Sequence, residues 1–403
     1  MRTTEEPVRS NVFPIILVPG WRLFGQNQMP PRYWGGLFDI VSALRQNGYQ
    51  AAWTQPGPFS SNWDRACEVY AQIRGARVDY GAAHSSRTGH DRYGEDFSGR
   101  GLYPEWGTAC DDSRIIRKIH LIGHSMGGQT GRLLIHLLRA GSQAELRYHD
   151  AHPGIPPMSE LFDGNRDWAA SLSTLSAPHN GSTVISGLVA ANPWLQQQIA
   201  TAAAFQPQFT RMIYDFKLDH WGIHPYSGEA PDRYFQRLFG SRLWTPTLDF
   251  SLRDLTPEGA QEMNRWVKTH RGVYYFSWAS RSTWTLPTTG QELPSPDALT
   301  NPSLLPNTYF MGLFERPFPR PVINHNWLAN DGWVNTYSME GPKLDSPDRI
   351  REYDGEIRDG VWNFMGTLRG INHEGLIGFG PYEPVSWYLK QADLLAALPP
   401  NPS

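Results

Sequence analysis

The chain has 403 residues, of which 40% are hydrophobic, so it can bury a sizeable core and is long enough for one large α/β domain with insertions. A formal net charge of −3, without a lysine- and arginine-rich block, argues against nucleic acid as a partner. No apolar run approaches the roughly 18 residues that a membrane-spanning helix needs.

After a polar tail at residues 1–11, the first part of the chain alternates strand and helix patterns. The predicted elements are a strand at 13–18, a helix at 34–49, a strand at 50–54 and a helix at 62–73. Alternation of this kind is typical of a parallel sheet that is covered by helices on both faces. Residues 76–114 are rich in Gly, Ser, Arg, His and Asp without periodicity, and we predict an inserted loop region there.

Residues 118–128 are the most informative stretch of the sequence. A short apolar run at 119–122 leads into Gly-His-Ser-Met-Gly at 123–127, and leucines at helical spacing follow until Gly141. A strand, a tight turn with serine at its apex and a helix form the context of a G-x-S-x-G nucleophile elbow. The two glycines of the turn lack the Cβ that would clash with its neighbours, so the pattern predicts Ser125 as a nucleophile.

Beyond this turn, a strand is predicted at 171–175 and helical patterns continue from 182 to 241. The apolar helices at 182–210 are a candidate lid over an active site, although an ordinary packed helical subdomain explains them nearly as well. The remaining predicted elements are a helix at 257–268, a strand at 272–278, a loop-rich stretch at 281–330, a strand at 361–368 and a helix at 383–398.

A serine becomes an effective nucleophile when a histidine accepts its proton and an acid orients that histidine. In hydrolases with such an elbow, the acid and then the histidine follow the serine along the chain. His373 comes just after the last predicted strand, and His325 is the other histidine in this part of the chain. Asp331 is a candidate acid, although its Asp-Gly pair is equally typical of a simple turn. Four further aspartates rival it on position alone: Asp345, Asp348, Asp354 and Asp359.

Hydrolysis through a tetrahedral intermediate also requires backbone donors for the oxyanion, each worth about 3 kcal/mol. One donor should be the N–H of Met126, directly after the serine. The other should be that of Trp21, which follows an early strand and Pro19-Gly20.

Taken together, these segments resemble the large bacterial lipases of the staphylococcal and thermoalkalophilic bacillus type, over residues 12–398. The most specific strings lie at residues 33–36, 57–68, 78–84, 127–130, 214–219 and 330–332. The resemblance implies a single α/β-hydrolase domain with a mostly parallel central sheet, helices on both faces and a helical lid. It implies a catalytic triad of Ser125, Asp331 and His373, with the same two oxyanion donors, and so favours Asp331 among the acids.

The resemblance also implies a structural zinc ion in an insertion formed by residues 64–98 and 205–255. The matching ligand positions are Asp64, His84, His90 and Asp249. Asp249 is the least direct match, because this chain has one extra residue in the string before it. Two histidines and two carboxylates make a closed tetrahedral set with no open position. Without the resemblance, the spacing of the two histidines is uninformative and favours ordinary surface residues.

The calcium site of the family, which lies beside the catalytic histidine, is predicted to be absent here. The positions of its two carboxylates hold Gly375 and Gly380, and a neighbouring glycine of the family is replaced by Pro294. Calcium needs several oxygen ligands, above all charged ones. We therefore expect other contacts to hold the loop of His373.

The expected function is that of a serine ester hydrolase, most closely a lipase that cleaves acylglycerol esters through an acyl-enzyme. A polyester hydrolase or carboxylesterase with the same triad is the nearest alternative, and 16 Trp, 17 Tyr and 18 Phe suit a greasy or a polymeric ligand. A non-catalytic binding module on a hydrolase fold is the alternative of another class, and the intact serine, aspartate and histidine argue against it.

The resemblance implies a secreted protein. Residues 1–6 are polar and no apolar signal-peptide core follows them, which fits either an intracellular protein or a mature form; with the resemblance, we expect a mature form. The two cysteines, Cys67 and Cys110, cannot make a disulfide framework, and the sequence leaves open whether they pair. It also leaves the oligomeric state open.

Overall fold

A computed structural model describes residues 12–21, 32–110, 115–190, 217–224, 226–241, 249–295 and 301–399 of the protein. Its strands are β1 (Ile15–Val18), β2 (Ala51–Trp53), β3 (Arg77–Asp79), β4 (Tyr93–Asp96), β5 (Ile119–His124), β6 (Ala169–Leu175), β7 (Tyr274–Arg281), β8 (Thr283–Thr285), β9 (Glu292–Pro294), β10 (Ile350–Glu352) and β11 (Trp362–Arg369). Its helices are α1 (Ile40–Gln46), α2 (Asn62–Arg74), α3 (Ala82–Thr88), α4 (Met126–Ala140), α5 (Gln143–Ala151), α6 (Thr183–Ala190), α7 (Pro231–Phe239), α8 (Ser251–Asp254), α9 (Pro257–Asn264), α10 (Leu305–Leu313), α11 (Thr336–Met339) and α12 (Val385–Ala396).

The central sheet has the strand order β10-β11-β7-β6-β5-β1-β2, and every neighbouring pair in it is parallel. All residues of β1, β5 and β6 are buried, which requires cover on both faces. Successive residues of β1 alternate between two cores. Ile16 and Val18 share one core with residues of α2 and α4, while Ile15 and Leu17 share the other with α1 and α12. The predicted parallel sheet between two helical layers is confirmed.

The helix predicted at 34–49 begins later, at Ile40. Gly35 and Gly36 have φ values of 112° and 59°, which a helix cannot contain. Asp39 then caps the helix, because its side chain accepts a 2.9 Å hydrogen bond from the N–H of Ser42. The apolar spacing extended the prediction into a segment that forms a glycine turn instead.

Residues 76–114 are not the loop region that their composition predicts. Strands β3 and β4 pair antiparallel in a small separate sheet, and α3 lies between them in the chain. These elements have three, four and seven residues, too few for hydrophobic periodicity to be detected. The loop-rich stretch at 281–330 likewise contains the antiparallel pair β8–β9 and the helix α10.

The parallel strands bring the predicted catalytic segments to one edge of the sheet. Trp21 follows the carboxyl end of β1, Ser125 follows β5, and His373 follows β11. In open α/β sheets, ligands bind outside the carboxyl ends of the strands. The fold therefore places these residues where a site is expected.

The predicted lid and insertion are described only in part. Of the candidate lid at 182–210, the described residues end with α6, and the rest lies outside the described residues. The second insertion segment, 205–255, is described from residue 217 onward with gaps. The lid, the insertion boundaries and the single domain at 12–398 stay predictions.

Both cysteines are free: Cys67 is buried in the core and Cys110 is partly exposed. The question that the sequence left open is thereby answered, and no disulfide bond contributes to the fold. Among the described residues, no helix is long and apolar enough to cross a membrane.

Candidate active site and metal centre

Ser125 forms the sharp turn between β5 and α4. Its φ of 54° lies in the left-handed region that residues with a side chain rarely adopt. A Cβ on Gly123 would lie 2.5 Å from the carbonyl oxygen of Gly127, and a Cβ on Gly127 would lie 2.0 Å from that of Val18. Close backbone contacts therefore require both glycines, and the strand–turn–helix context predicted for the serine is present.

Asp331 and His373 form a buried, oriented pair. The Nδ1 atom of His373 lies 2.8 Å from Oδ2 of Asp331, and the N–H of His373 donates to the Asp331 carbonyl at 3.0 Å. The carboxylate also accepts from the N–H groups of Trp333 and Val334 and from the hydroxyl of Ser280, at 3.0, 2.8 and 2.7 Å. With Nδ1–H donating to Asp331, the neutral ring has its lone pair on Nε2 and can act as a base.

His124 connects the serine turn to the histidine loop. Its Nε2 lies 2.9 Å from the carbonyl oxygen of His373, and the two imidazole rings are 4.7 Å apart. Among the described residues, the Ser125 hydroxyl has no hydrogen-bond partner, so the serine–histidine bond of a triad is not formed. Such bonds are often long without substrate and tighten when it binds.

The loop that carries Trp21 lies against the serine. A Cβ on Gly20 would lie 2.5 Å from Cβ of Ser125, so the close approach depends on this glycine. The Trp21 ring packs edge-on against Phe59 and Trp333, with centroids 6.3 and 5.9 Å apart. Trp21 is thus held directly after the residue that contacts the serine.

A buried arginine, Arg65, holds the backbone of this loop through a hydrogen bond. The guanidinium of Arg65 donates to the carbonyls of Pro19 and Gly57 and to the hydroxyl of Thr130. Burial lowers the pKa of Arg65 to about 10, so the group remains charged at neutral pH. Charge-assisted hydrogen bonds of this kind are strong, and one of them ends two residues before Trp21.

A second buried cluster could hold a metal ion. Its members, Asp64, His84, His90 and Asp249, offer ligand atoms that all lie within 4.8 Å of one another. Nε2 of His84 lies 3.3 Å from Oδ1 of Asp64 and 3.0 Å from Oδ2 of Asp249. Nε2 of His90 lies 3.8 and 3.3 Å from the same two atoms. An ion with tetrahedral bonds of about 2.0–2.1 Å holds its ligand atoms about 3.3 Å apart, which matches this cluster.

The hydrogen bonds around the cluster leave donor atoms for a cation. Nδ1 of His90 lies 2.8 Å from the carbonyl oxygen of Asp91, which can only accept, so a neutral His90 ring has its lone pair on Nε2. That Nε2 and Oδ1 of Asp64 are buried without a hydrogen-bond partner. Burial lowers the pKa of His84, but the carboxylates of Asp249 and Asp64 outweigh it and raise the pKa to about 9. The carboxylates therefore favour positive charge here.

His220 contacts the cluster through one of its ligands, Asp64. Its Nε2 lies 3.1 Å from Oδ2 of Asp64, and its Nδ1 lies 3.3 Å from the hydroxyl of Tyr80. The Tyr80 hydroxyl in turn donates to Oε1 of Glu68 at 3.1 Å. Hydrogen bonds from outside a metal site orient the ligands, so His220 is placed to hold the Asp64 carboxylate.

The family described as "Lipase-like, C-terminal domain" matches residues 11–386. The chain belongs to this family. Lipase 2 of Staphylococcus aureus is 32% identical to this lipase-like chain over 373 residues, which are 91% of the chain and 50% of that relative. The chain thus spans about half the length of the curated relatives it matches.

Two solved structures resemble the lipase-like chain over nearly its whole length. EstA from Clostridium botulinum has a TM-score of 0.87 and 38% identity, covering 98% of this chain and 90% of EstA. Lipase 1 from Pelosinus fermentans has a TM-score of 0.84 and 39% identity, covering 96% of this chain and 99% of that one. These matches confirm the resemblance to the staphylococcal lipases and the α/β-hydrolase fold that it implies.

Of the candidate acids, Asp331 is the one that is bonded to His373. The four rivals have other partners: Asp345 pairs with Arg265, Asp354 pairs with Arg351, Asp348 accepts from the N–H of Thr269, and Asp359 accepts from the N–H of Gly272. Position along the chain alone could not separate these five carboxylates. Their hydrogen-bond and ion-pair partners in the fold distinguish them.

The sequence does not predict the roles of three residues around the two sites: Ser280, Arg65 and His220. Each contacts a residue that is distant in the chain, so no local pattern reveals it. Arg65 lies within one of the strings on which the family resemblance rests, which was the one available signal.

The contact between Gly127 and the end of β1 predicts that two glycine-to-alanine substitutions in α4 differ strongly in their effect on stability. Gly127→Ala forces a Cβ against the rigid carbonyl of Val18, and we expect it to lower the free energy of unfolding by about 1–3 kcal/mol or more. Denaturant titration measures this change.

Gly131→Ala is the matched control on the same helix. Its Cβ would meet the Cδ1 atom of Leu172 at 2.8 Å, the end of a flexible side chain. Alanine also favours a helix over glycine by up to about 1 kcal/mol. We expect this variant to unfold near the wild-type midpoint, and equal losses in the two variants would contradict the assigned contact.

Proposed function

We propose that this protein is a serine carboxylic-ester hydrolase, and specifically a lipase that acts on acylglycerol esters. The observation that carries the proposal is the buried Asp331–His373 pair, with its 2.8 Å hydrogen bond, beside a serine in a strained turn. Family membership and the relatives that are named lipases support the substrate class. We further propose, on the resemblance alone, that the protein acts outside the cell and binds an ester-bearing surface.

The reaction proceeds in two steps. The Ser125 oxygen attacks the ester carbonyl carbon while Nε2 of His373 takes the hydroxyl proton; the C–O bond to the alcohol then breaks, and the same imidazolium protonates the leaving alcohol. Water, deprotonated by Nε2 of His373, then attacks the acyl carbon; the bond from that carbon to the Ser125 oxygen breaks, and the imidazolium returns the proton to this oxygen as the acid leaves. Asp331 keeps the proton on Nδ1 and stabilises the imidazolium. The N–H groups of Trp21 and Met126 stabilise the oxyanion, each by about 3 kcal/mol.

Replacement of the nucleophile tests the mechanism. Ser125→Ala should abolish turnover of p-nitrophenyl esters, because the remaining groups cannot form the acyl-enzyme. A fluorophosphonate should label the wild-type protein at Ser125 and leave the variant unlabelled, as intact mass and peptide mapping would reveal. The unfolding midpoint and the metal content should not change. Retained ester turnover in a correctly folded Ser125→Ala protein would refute the proposal.

We propose that the metal of the buried cluster is a structural zinc ion held by Asp64, His84, His90 and Asp249. Two imidazoles and two carboxylates are suitable zinc ligands, and four protein ligands leave no position for a reacting water. The ligand separations of 3.0–3.8 Å and the two buried atoms without partners support this assignment. Zinc would tie α2 and α3 to the segment before α8, and would take no part in the reaction.

The hydrogen bond from His220 predicts a specific effect on zinc affinity. His220→Ala removes the donor to Oδ2 of Asp64, and we expect zinc affinity to fall about ten- to a hundredfold. Competition with a chromogenic chelator measures the affinity without reference to activity.

His224→Gln is the control for this experiment. His224 is exposed, lies on the same segment and pairs with Asp219. Its replacement should leave zinc affinity unchanged. If His220→Ala binds zinc as tightly as His224→Gln does, His220 has no role in holding the ligand.

We also propose that the protein has no calcium site beside His373. Gly375 and Gly380 offer no carboxylate, whereas the loop is held internally: the Asn372 side chain accepts from the N–H groups of Glu374 and Gly375 at 3.1 and 2.9 Å. Hydrogen bonds of this kind can replace the support of an ion.

Calcium titration checks this proposal. Micromolar calcium added to zinc-loaded protein should leave the thermal unfolding midpoint where magnesium leaves it, because the charged ligands are missing. A rise of the midpoint that is specific for calcium would show that a site exists after all.

A further inference from the structure

Three hydrogen bonds join the three segments that carry the proposed catalytic groups. The hydroxyl oxygen of Tyr33 lies 2.6 Å from the N atom of Gly20 and 2.6 Å from Nδ1 of His124. Nε2 of His124 lies 2.9 Å from the carbonyl oxygen of His373. The chain of bonds therefore runs from the oxyanion loop, through the residue before the nucleophile, to the backbone of the base.

Elementary chemistry assigns every donor in this chain. A carbonyl oxygen only accepts, so Nε2 of His124 carries a proton and donates to His373. When the ring is neutral, it accepts at Nδ1, and the Tyr33 hydroxyl donates to it. The Tyr33 oxygen in turn accepts from the N–H of Gly20. The three hydrogen bonds thus run in a single direction, from the N–H of Gly20 to the carbonyl of His373.

The surroundings leave little room for water to replace these bonds. Tyr33 and His124 are 4% and 1% exposed. The Tyr33 ring packs edge-on against Trp34 and against the His124 ring, with centroids 5.1 and 5.8 Å apart. A buried polar group that loses its partner here stays unsatisfied, which is costly.

The same segment also holds the turn after His373. The N–H of Gly35 donates to the carbonyl of Ile377 at 2.9 Å. Gly36 and Gly378 approach so closely that a Cβ on Gly36 would lie 2.3 Å from the Gly378 carbonyl oxygen. Residues 33–36 therefore contact the histidine loop both through His124 and directly.

We propose that Tyr33 and His124 are positioning residues that hold the Trp21 loop, Ser125 and His373 in one fixed arrangement. Asp331 orients the imidazole of His373 through its Nδ1, and His124 fixes the main-chain carbonyl of the same residue. The proposal rests on the hydrolase function proposed above. Displacements of about 1 Å among reacting groups can cost about a hundredfold in rate, so losing one of these bonds acts on catalysis rather than on substrate binding.

Tyr33→Phe is the most direct test, because it keeps the ring and removes only the hydroxyl. We expect kcat on p-nitrophenyl esters to fall about ten- to a hundredfold, with KM unchanged within about twofold, since Tyr33 touches no substrate. The affinity for an arylboronic acid, which mimics the tetrahedral intermediate, should fall in parallel with kcat/KM.

Tyr388→Phe is the matched control. Tyr388 is fully buried in the same aromatic cluster, 6.1 Å from the Trp34 ring, and its hydroxyl has no hydrogen-bond partner among the described residues. Removing that hydroxyl should leave kcat, KM and boronate affinity at wild-type values. If both variants lose the same activity, the effect reflects general packing and the positioning role is refuted.

Two substitutions of His124 test the chain independently of Tyr33. A glutamine amide reaches the place of Nε2 and can still donate to the His373 carbonyl, whereas an asparagine amide reaches only the place of Nδ1. We expect His124→Gln to retain more kcat than His124→Asn. In the His124→Gln background, Tyr33→Phe should cost less than it does alone, because its acceptor is already gone.

The outcomes separate this inference from the proposed function. Wild-type kcat and boronate affinity in folded Tyr33→Phe, together with an inactive Ser125→Ala, would overturn the positioning role and leave the hydrolase mechanism standing. Turnover in Ser125→Ala would overturn the mechanism itself. If Tyr33→Phe does not fold, the His124 pair decides: equal kcat in the two variants would overturn the inference.

Discussion

The close approach of the first strand to the serine turn is the constraint on which the rest of this site depends. The start of α4 passes so near the end of β1 that only hydrogen fits on Gly127, and Gly20 makes the same demand beside Ser125. Side chains at these two positions would push apart the proposed oxyanion loop and the proposed nucleophile, Ser125. Glycine at both positions allows the loop and the turn to pack in direct contact. Two later segments supply the Asp331–His373 pair.

Helix α2 links the two sites of the molecule. Asp64 belongs to the candidate metal site, and the next residue, Arg65, donates to the carbonyl of Pro19 in the proposed oxyanion loop. A contact that fixes α2 at Asp64 therefore also helps to fix the loop through Arg65. Arg65 bonds to the loop at Pro19 and Tyr33 bonds to it at Gly20, and the Trp21 ring adds its own contacts with Phe59 and Trp333. Donors that are held in advance need no rearrangement as charge develops.

The sequence predicted the parts of this arrangement that local patterns carry, and missed those that depend on distant contacts. The elbow at Ser125 is readable because strand, glycine turn and helix occupy adjacent positions. Asp331 needed the family resemblance, since five aspartates fit its place in the chain equally well. The roles of His220 and Tyr33 do not follow from any local pattern, because His220 meets Asp64, and Tyr33 meets His124, only after the sheet has formed. The prediction of a loop region at 76–114 was wrong for another reason, because its strands and helix are too short to show hydrophobic periodicity.

The two free cysteines have a consequence for where such a chain can exist. Cys67 is sealed in the core by α2, and burial raises the pKa of its thiol well above the usual value, so the reactive thiolate is scarce. The fold contains no cross-link that a reductant could cut and needs no oxidant to form. The fold is therefore compatible with reducing and with oxidising surroundings alike, as far as its covalent bonds are concerned.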